Sequence, residues 1–217
     1  NMNKSTFSIR KNLIILLTLS IGCAYADQDI VITGGNSAGN PKLAIVNFTN
    51  EDGSISNEIT SDFKITGEFN VSNYVSNDAV DSSAQYTING SVESDPVSGQ
   101  MKVQYQLINN ATKEVLLSQT ASFNQKSQRK AIHTIDNNVY QKLTTTPGAF
   151  TSKIALSVQQ GSKYSVVIAD YDGYNQKTLI STAHPISSLA WDKSGQYLSY
   201  VTYETGKPVV YVQNIAQ

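Results

Sequence analysis

Ala190-Trp191-Asp192-Lys193-Ser194-Gly195-Gln196-Tyr197-Leu198-Ser199-Tyr200-Val201-Thr202 is the stretch that decides the fold. Its segment Trp191-Asp192-Lys193-Ser194-Gly195 reads as a tight turn between two copies of one pattern. Shifting the chain by 44 residues matches Ile154 to Leu198, Val166 to Val210, Ile168 to Val212 and Lys163 to Lys207, and brings Gly161 within one position of Gly206. The first copy resolves into strands at Ile154–Val158, Tyr164–Ala169 and Lys177–Ser181, with turns at Gln160-Gly161-Ser162 and Tyr171-Asp172-Gly173-Tyr174. Short strands repeating every 40–45 residues or so are the signature of β-propeller blades. A propeller closes with about four to eight blades. Residues 146–217 supply one blade and part of a second, which leaves strand edges and an apolar face uncovered. The expectation is a piece of a longer protein.

Upstream of the repeat the pattern changes. Leu43-Ala44-Ile45-Val46-Asn47-Phe48 is a nearly continuous apolar run, as in a buried strand. Ile55, Ile59 and Phe63 are spaced four apart and predict a helix over 56–65, with Gly67 as its stop. A short strand begins at Phe69-Asn70-Val71. Residues 84–92 and 101–108 alternate around an Asp95-Pro96-Val97-Ser98-Gly99 turn, and Val115–Phe123 extends the meander. Ile132, Ile135, Val139 and Leu143 form one apolar stripe on a helix over Arg129–Leu143. Residues 27–145 therefore read as a small α/β domain with helices on a mixed sheet, joined by a Thr144-Thr145-Thr146-Pro147-Gly148 linker to an incomplete all-β propeller.

The first 26 residues read as an address. Lys4, Arg10 and Lys11 precede the apolar run Leu13–Leu19 and the small-residue ending Ala24-Tyr25-Ala26, which is the pattern of a secretory signal peptide. The apolar run is shorter than the roughly 20 residues of a spanning helix. Ser20 stands where a lipobox ending at Cys23 wants Leu. Loss of the leader removes three basic residues and no acid, leaving 13 basic and 17 acidic residues and no Cys. The formal net charge of −1 for the whole chain argues against nucleic acid as partner, since neutralising phosphates needs a basic patch. The mature chain then begins with Asp27-Gln28-Asp29-Ile30-Val31-Ile32-Thr33, a short β-prone arm on the Gly34–Asn40 tether.

Three stretches resemble the TolB family of the Tol-Pal cell-envelope system. They are Ala169-Asp170-Tyr171-Asp172-Gly173-Tyr174-Asn175-Gln176, the Trp191 stretch quoted above, and His133-Thr134 followed by Val139–Thr144 and Gly148-Ala149-Phe150. Around Ser76–Ala84 the chain is shorter than the family pattern, which predicts the loss of a family helix. The resemblance implies a periplasmic binding protein and no enzyme, with an α/β domain followed by a six-bladed propeller. It implies TolA as the partner of the arm Asp27–Thr33, Pal as the partner of the propeller, chiefly on blades later than the two read here, and no cofactor. It also implies an arm that Pal favours in its docked position. Two further readings stand beside it. One is the propeller-containing part of a secreted prolyl-oligopeptidase-like serine peptidase, the other a truncated product without function.

Candidate chemistry is sparse. Asp170, Asp172, Gly173 and Asn175 could suggest a Ca²⁺ loop, but Ser181 occupies the twelfth position and a structural β-turn is the better reading. His133 has no Cys or Asp at ligand spacing and reads as a packed side chain. His184 has no apparent nucleophile partner, and Gly34-Gly35 lacks the lysine of a phosphate loop. Trp191 reads as core between blades. Catalytic and metal sites are both expected to be absent.

Overall fold

Leu43-Ala44-Ile45-Val46 is apolar on both faces of a strand, and it occupies the centre of a sheet. In the computed structural model, which describes residues 39–215, strand β1 (Lys42–Val46) lies between β2 (Asn70–Tyr74) and β3 (Tyr86–Ser94) and is parallel to both. The leader and the arm Asp27–Thr33 lie outside the described residues. Helix α1 (Ser54–Thr66) makes the crossover from β1 to β2. β4 (Gln100–Asn109) and β5 (Glu114–Asn124) complete an antiparallel meander from β3, giving the order β2-β1-β3-β4-β5. Helix α2 (Gln128–Thr144) follows.

Local chemistry sets the helix ends. The Glu51 carboxylate accepts the free N–H groups of Ile55 (2.9 Å) and Ser56 (3.2 Å) at the start of α1. Gly67 (φ 67°) ends that helix in the left-handed region and donates its N–H to the Lys64 carbonyl. Ahead of α2, Asn124 and Ser127 cap each other reciprocally. A single 3-10 turn, Asn77–Ala79, occupies the Ser76–Ala84 stretch.

Both helices bury the stripes read from the sequence. Ile55, Ile59 and Phe63 of α1 and Ile132, Ile135 and Val139 of α2 share one core with Ile45, Ile88, Val103, Tyr105, Leu107 and Phe123. Each such side chain contributes about 1.5–3 kcal/mol relative to exposure. The buried Tyr105 hydroxyl donates to Gln119 (2.6 Å) and accepts from Asn138 of α2 (3.1 Å), which fixes that helix against β4 and β5.

The rest of the described chain forms two antiparallel three-stranded sheets. The first is β6 (Lys153–Gln160), β7 (Lys163–Asp170) and β8 (Lys177–Thr182). The second is β9 (Ile186–Trp191), β10 (Tyr197–Thr202) and β11 (Val209–Asn214). The 44-residue shift carries β6 onto β10 and β7 onto β11, so the two sheets are offset by one strand. The Trp191–Gly195 turn consequently lies inside the second sheet, joining β9 to β10, and the sheets meet around 183–185 instead. Val166, Ile186, Leu198 and Tyr200 form their shared core, with Trp191 packed against it. Ser157 Oγ donates to the Ile186 carbonyl between the sheets (3.0 Å). Val210 and Val212 of β11 remain exposed.

Gly90 of β3 shows how tightly the large sheet is built. A Cβ placed there would overlap the Gln104 carbonyl oxygen and stand 2.7 Å from Phe48 Cε2. Gly90→Ala is therefore expected to cost about 1–3 kcal/mol by overpacking. A urea unfolding midpoint unchanged from the parent would contradict this packing.

Candidate functional site

The apolar stripes of α1 and α2 are bordered by polar side chains that meet. On α1, Glu58 and Asp62 are one turn apart. On α2, Arg129, His133 and Asp136 follow at spacings of four and three, so they line the neighbouring face of the helix. The β7–β8 turn brings Tyr171, Asp172 and Tyr174 onto this pair of rows.

Arg129 is the centre of the junction. Its Nη1 lies 3.1 Å from Glu58 Oε1, its Nη2 donates to Asp172 Oδ2, and its guanidinium sits 3.9 Å above the Tyr174 ring. His133 Nε2 lies 3.3 Å from Asp172 Oδ2 and 3.5 Å from both Glu58 Oε1 and Asp62 Oδ2. Tyr171 stands edge-on to His133 and to Phe150, both with centroids 5.3 Å away. Phe150 continues the row to Phe63 and Tyr140. Asn137 of α2 accepts the Phe150 N–H (3.2 Å) and donates to Thr151 (3.0 Å), so the chain entering β6 is tied to the same helix.

These groups are largely removed from water. Asp136 is fully buried, Asp62 is 1 % exposed and His133 4 %. Burial, reinforced by Asp62, holds the Asp136 carboxyl well above the ordinary carboxylate range. Burial also pushes Glu58 up to about 7, against the opposing pull of Arg129. The Tyr171 hydroxyl is raised by burial and by Asp62. A cleft of about 250 Å³, lined by Glu58, Asp62, Arg129, Asp172 and Tyr174, opens beside the cluster. A larger hollow of about 710 Å³ lies at one end of the sheet; its charged side chains, Asp81 and Lys113, are exposed.

The turn read at Asp170–Asn175 forms, with Gly173 at φ 85° and its N–H on the Asp170 carbonyl (2.9 Å). Asp170 accepts from Lys153 (2.8 Å) and Asn175 (2.5 Å). Asp172 does more than the turn requires, because it reaches Arg129. His133 is packed as read, yet it has acidic neighbours. Glu58, Asp62 and Asp172 come from α1 and from the turn, so spacing along its own helix could not find them, whereas Asp136, three residues further along α2, does stand at a ligand-like spacing, contrary to the expectation. The available signal was that Glu58 and Asp62 border the Ile55-Ile59-Phe63 stripe. His184 is exposed in the loop before β9. The proposed partner residues Asp27, Gln28, Asp29, Ile30, Val31, Ile32 and Thr33 lie outside the described residues.

The raised Glu58 gives a pH dependence with a definite sign. The folded chain keeps a proton there that the unfolded chain sheds near 4.5, so stability falls as pH rises from about 4.5 to about 7. Asp136 acts in the same direction. Glu58→Gln is expected to shrink the difference between melting temperatures at pH 5 and pH 8, measured with EDTA present. An undiminished difference would show that Glu58 is not buried as described.

Comparison with known proteins adds a family. Residues 140–217 match the TolB beta propeller domain. The chain is 31% identical to the Tol-Pal system protein TolB of Methylobacillus flagellatus, over 91% of this chain and 49% of that protein. It is 32% identical to the same protein of Nitrosomonas europaea, over 94% of this chain and 51% of the relative. The crystal structure of TolB from Acinetobacter baumannii superimposes with a TM-score of 0.71 at 28% identity, covering 82% of this chain and 47% of that one. The chain thus spans about half the length of the curated relatives it matches. A helix-covered mixed sheet followed by offset antiparallel sheets, aligned along nearly the whole sequence with these proteins, places the chain in the TolB family, over its N-terminal domain and the first part of its β-propeller.

Proposed function

We propose that this chain is a periplasmic protein-binding component of a Tol-Pal system, and not an enzyme. In this reading it binds TolA through Asp27–Thr33 and Pal through the propeller, and it helps hold the outer membrane during constriction at cell division. The observation that carries the reading is the alignment of about nine-tenths of the chain with relatives named Tol-Pal system protein TolB. The leader pattern at residues 1–26 supports export, and among the described residues no helix is long and apolar enough to cross a membrane.

The arm has the chemistry for its part. Ile30-Val31-Ile32 is short, apolar and β-prone, so it can add as a strand to the edge of a partner's sheet, with main-chain hydrogen bonds supplying affinity. In this reading the arm has a docked and a free position. A partner that stabilises one of those positions would change affinity for the other partner by the same factor.

Affinity capture tests the assignment. The exported chain is expected to retain the soluble domain of TolA, and deletion of Asp27–Thr33 is expected to abolish that retention. Failure of the undeleted chain to retain TolA would overturn the proposal. Undiminished TolA capture by the deletion variant would move the TolA site off the arm.

A further inference from the structure

Four carboxyl groups, Glu58, Asp62, Asp136 and Asp172, crowd around Arg129 and one imidazole at the junction. Arg129 forms ion pairs with two of them, Glu58 and Asp172, while Asp62 Oδ2 lies 3.5 Å from His133 Nε2.

Hydrogen bonding leaves the imidazole unsatisfied. His133 Nε2 carries either one lone pair or one proton. It stands 3.3–3.5 Å from three carboxylate oxygens, and none of them completes a hydrogen bond with it. Asp62 Oδ2 completes none either, although Asp136 and the Tyr171 hydroxyl are close enough to interact with that carboxylate. The His133 and Asp62 side chains are at least nine-tenths buried, at 5 % and 2 % exposed. His133 Nε2 and Asp62 Oδ2 thus stand 3.5 Å apart without a completed hydrogen bond, and Glu58 Oε1, also without one, is 3.5 Å from the same nitrogen; Asp136 and the Tyr171 hydroxyl add further unpartnered oxygens to the cluster.

We propose that Glu58, Asp62 and His133 form a binding site for one divalent transition-metal ion of the Zn²⁺ class. Their ligand atoms all lie within 4.8 Å of one another. With metal–ligand bonds of about 2.0–2.2 Å, the edges of a tetrahedral zinc site are about 3.3–3.6 Å. The two Nε2-to-oxygen distances of 3.5 Å are of that length. One imidazole nitrogen with two carboxylates is a borderline donor set that suits zinc, and it is too small and too nitrogen-rich for Ca²⁺. The spacing follows from the helices, because Glu58 and Asp62 are one turn apart on α1 and α2 carries His133 against them. The adjoining cleft supplies a path from solvent and room for a water as fourth ligand. Arg129 can leave Glu58 to the ion, because Asp172 and the Tyr174 ring hold its guanidinium from the other side. An ion there would cross-link α1 to α2 directly beneath the turn that docks on them. Availability of the metal would then set how firmly that turn is held.

Titration calorimetry of the full chain with Zn²⁺ alone tests the proposal. The expected result is one ion per chain, with a rise in melting temperature that EDTA reverses. His133→Gln and Glu58→Gln should each weaken binding by about tenfold or more. Glu58 lies at the rim of the cleft, so its variant keeps the test valid if the His133 variant fails to fold by circular dichroism. A control variant, His184→Ala, which removes the chain's other imidazole, should bind as the parent does. Absence of stoichiometric binding would overturn the proposal. So would binding that survives Glu58→Gln, binding lost in the control, or equal competition by Ca²⁺.

Discussion

The contact on which the rest depends is Arg129 with Asp172. It joins a helix of the α/β domain to a turn between two propeller strands, 43 residues further along the chain. Asp172 is nearly buried by it, and a buried carboxylate is tolerable only with a partner. Taking the pair apart leaves a charge in a poorly hydrated place, which is costlier than the pair is favourable. The aromatic row Phe150, Tyr171 and His133 can close around the pair only while the turn stays down. Polar pairing thus sets the position, and the rings contribute buried area once the position is set.

This arrangement gives the two parts of the chain a shared dependence. The five-stranded sheet and its helices have their own apolar core, and the two propeller sheets have another. Between the cores lies a layer that is polar, partly charged and rich in groups with raised proton affinity. A layer of that kind is more responsive than an apolar one, because protons, cations or a bound partner alter its energy without disturbing either core.

Most of the secondary structure was legible in the sequence because periodicity reports burial directly. Ile55, Ile59 and Phe63, or Val103, Tyr105 and Leu107, point one way whatever the rest of the chain does. The 44-residue repeat was legible for the same reason. Its phase was not, since a period states how far apart equivalent strands are and not which strand begins a sheet. The Trp191 turn was accordingly read between copies, whereas it lies inside the second sheet. The junction was the least legible part. Glu58, Arg129, His133 and Asp172 sit at the margins of apolar stripes or in a turn, where polar residues ordinarily face water. Their meeting depends on the angle of two helices and the reach of one hairpin, and no local pattern encodes either.

A double-mutant cycle on Arg129→Leu and Asp172→Asn addresses the central claim most directly. Unfolding in urea can be followed through Trp191, the chain's one tryptophan, which sits in the second propeller sheet. If the Arg129–Asp172 pair fastens the turn to the helices, the two substitutions are coupled by about 1–3 kcal/mol, and the double variant loses less than the sum of the single ones. Strict additivity, with each single variant close to the parent, would contradict a junction built on this pair.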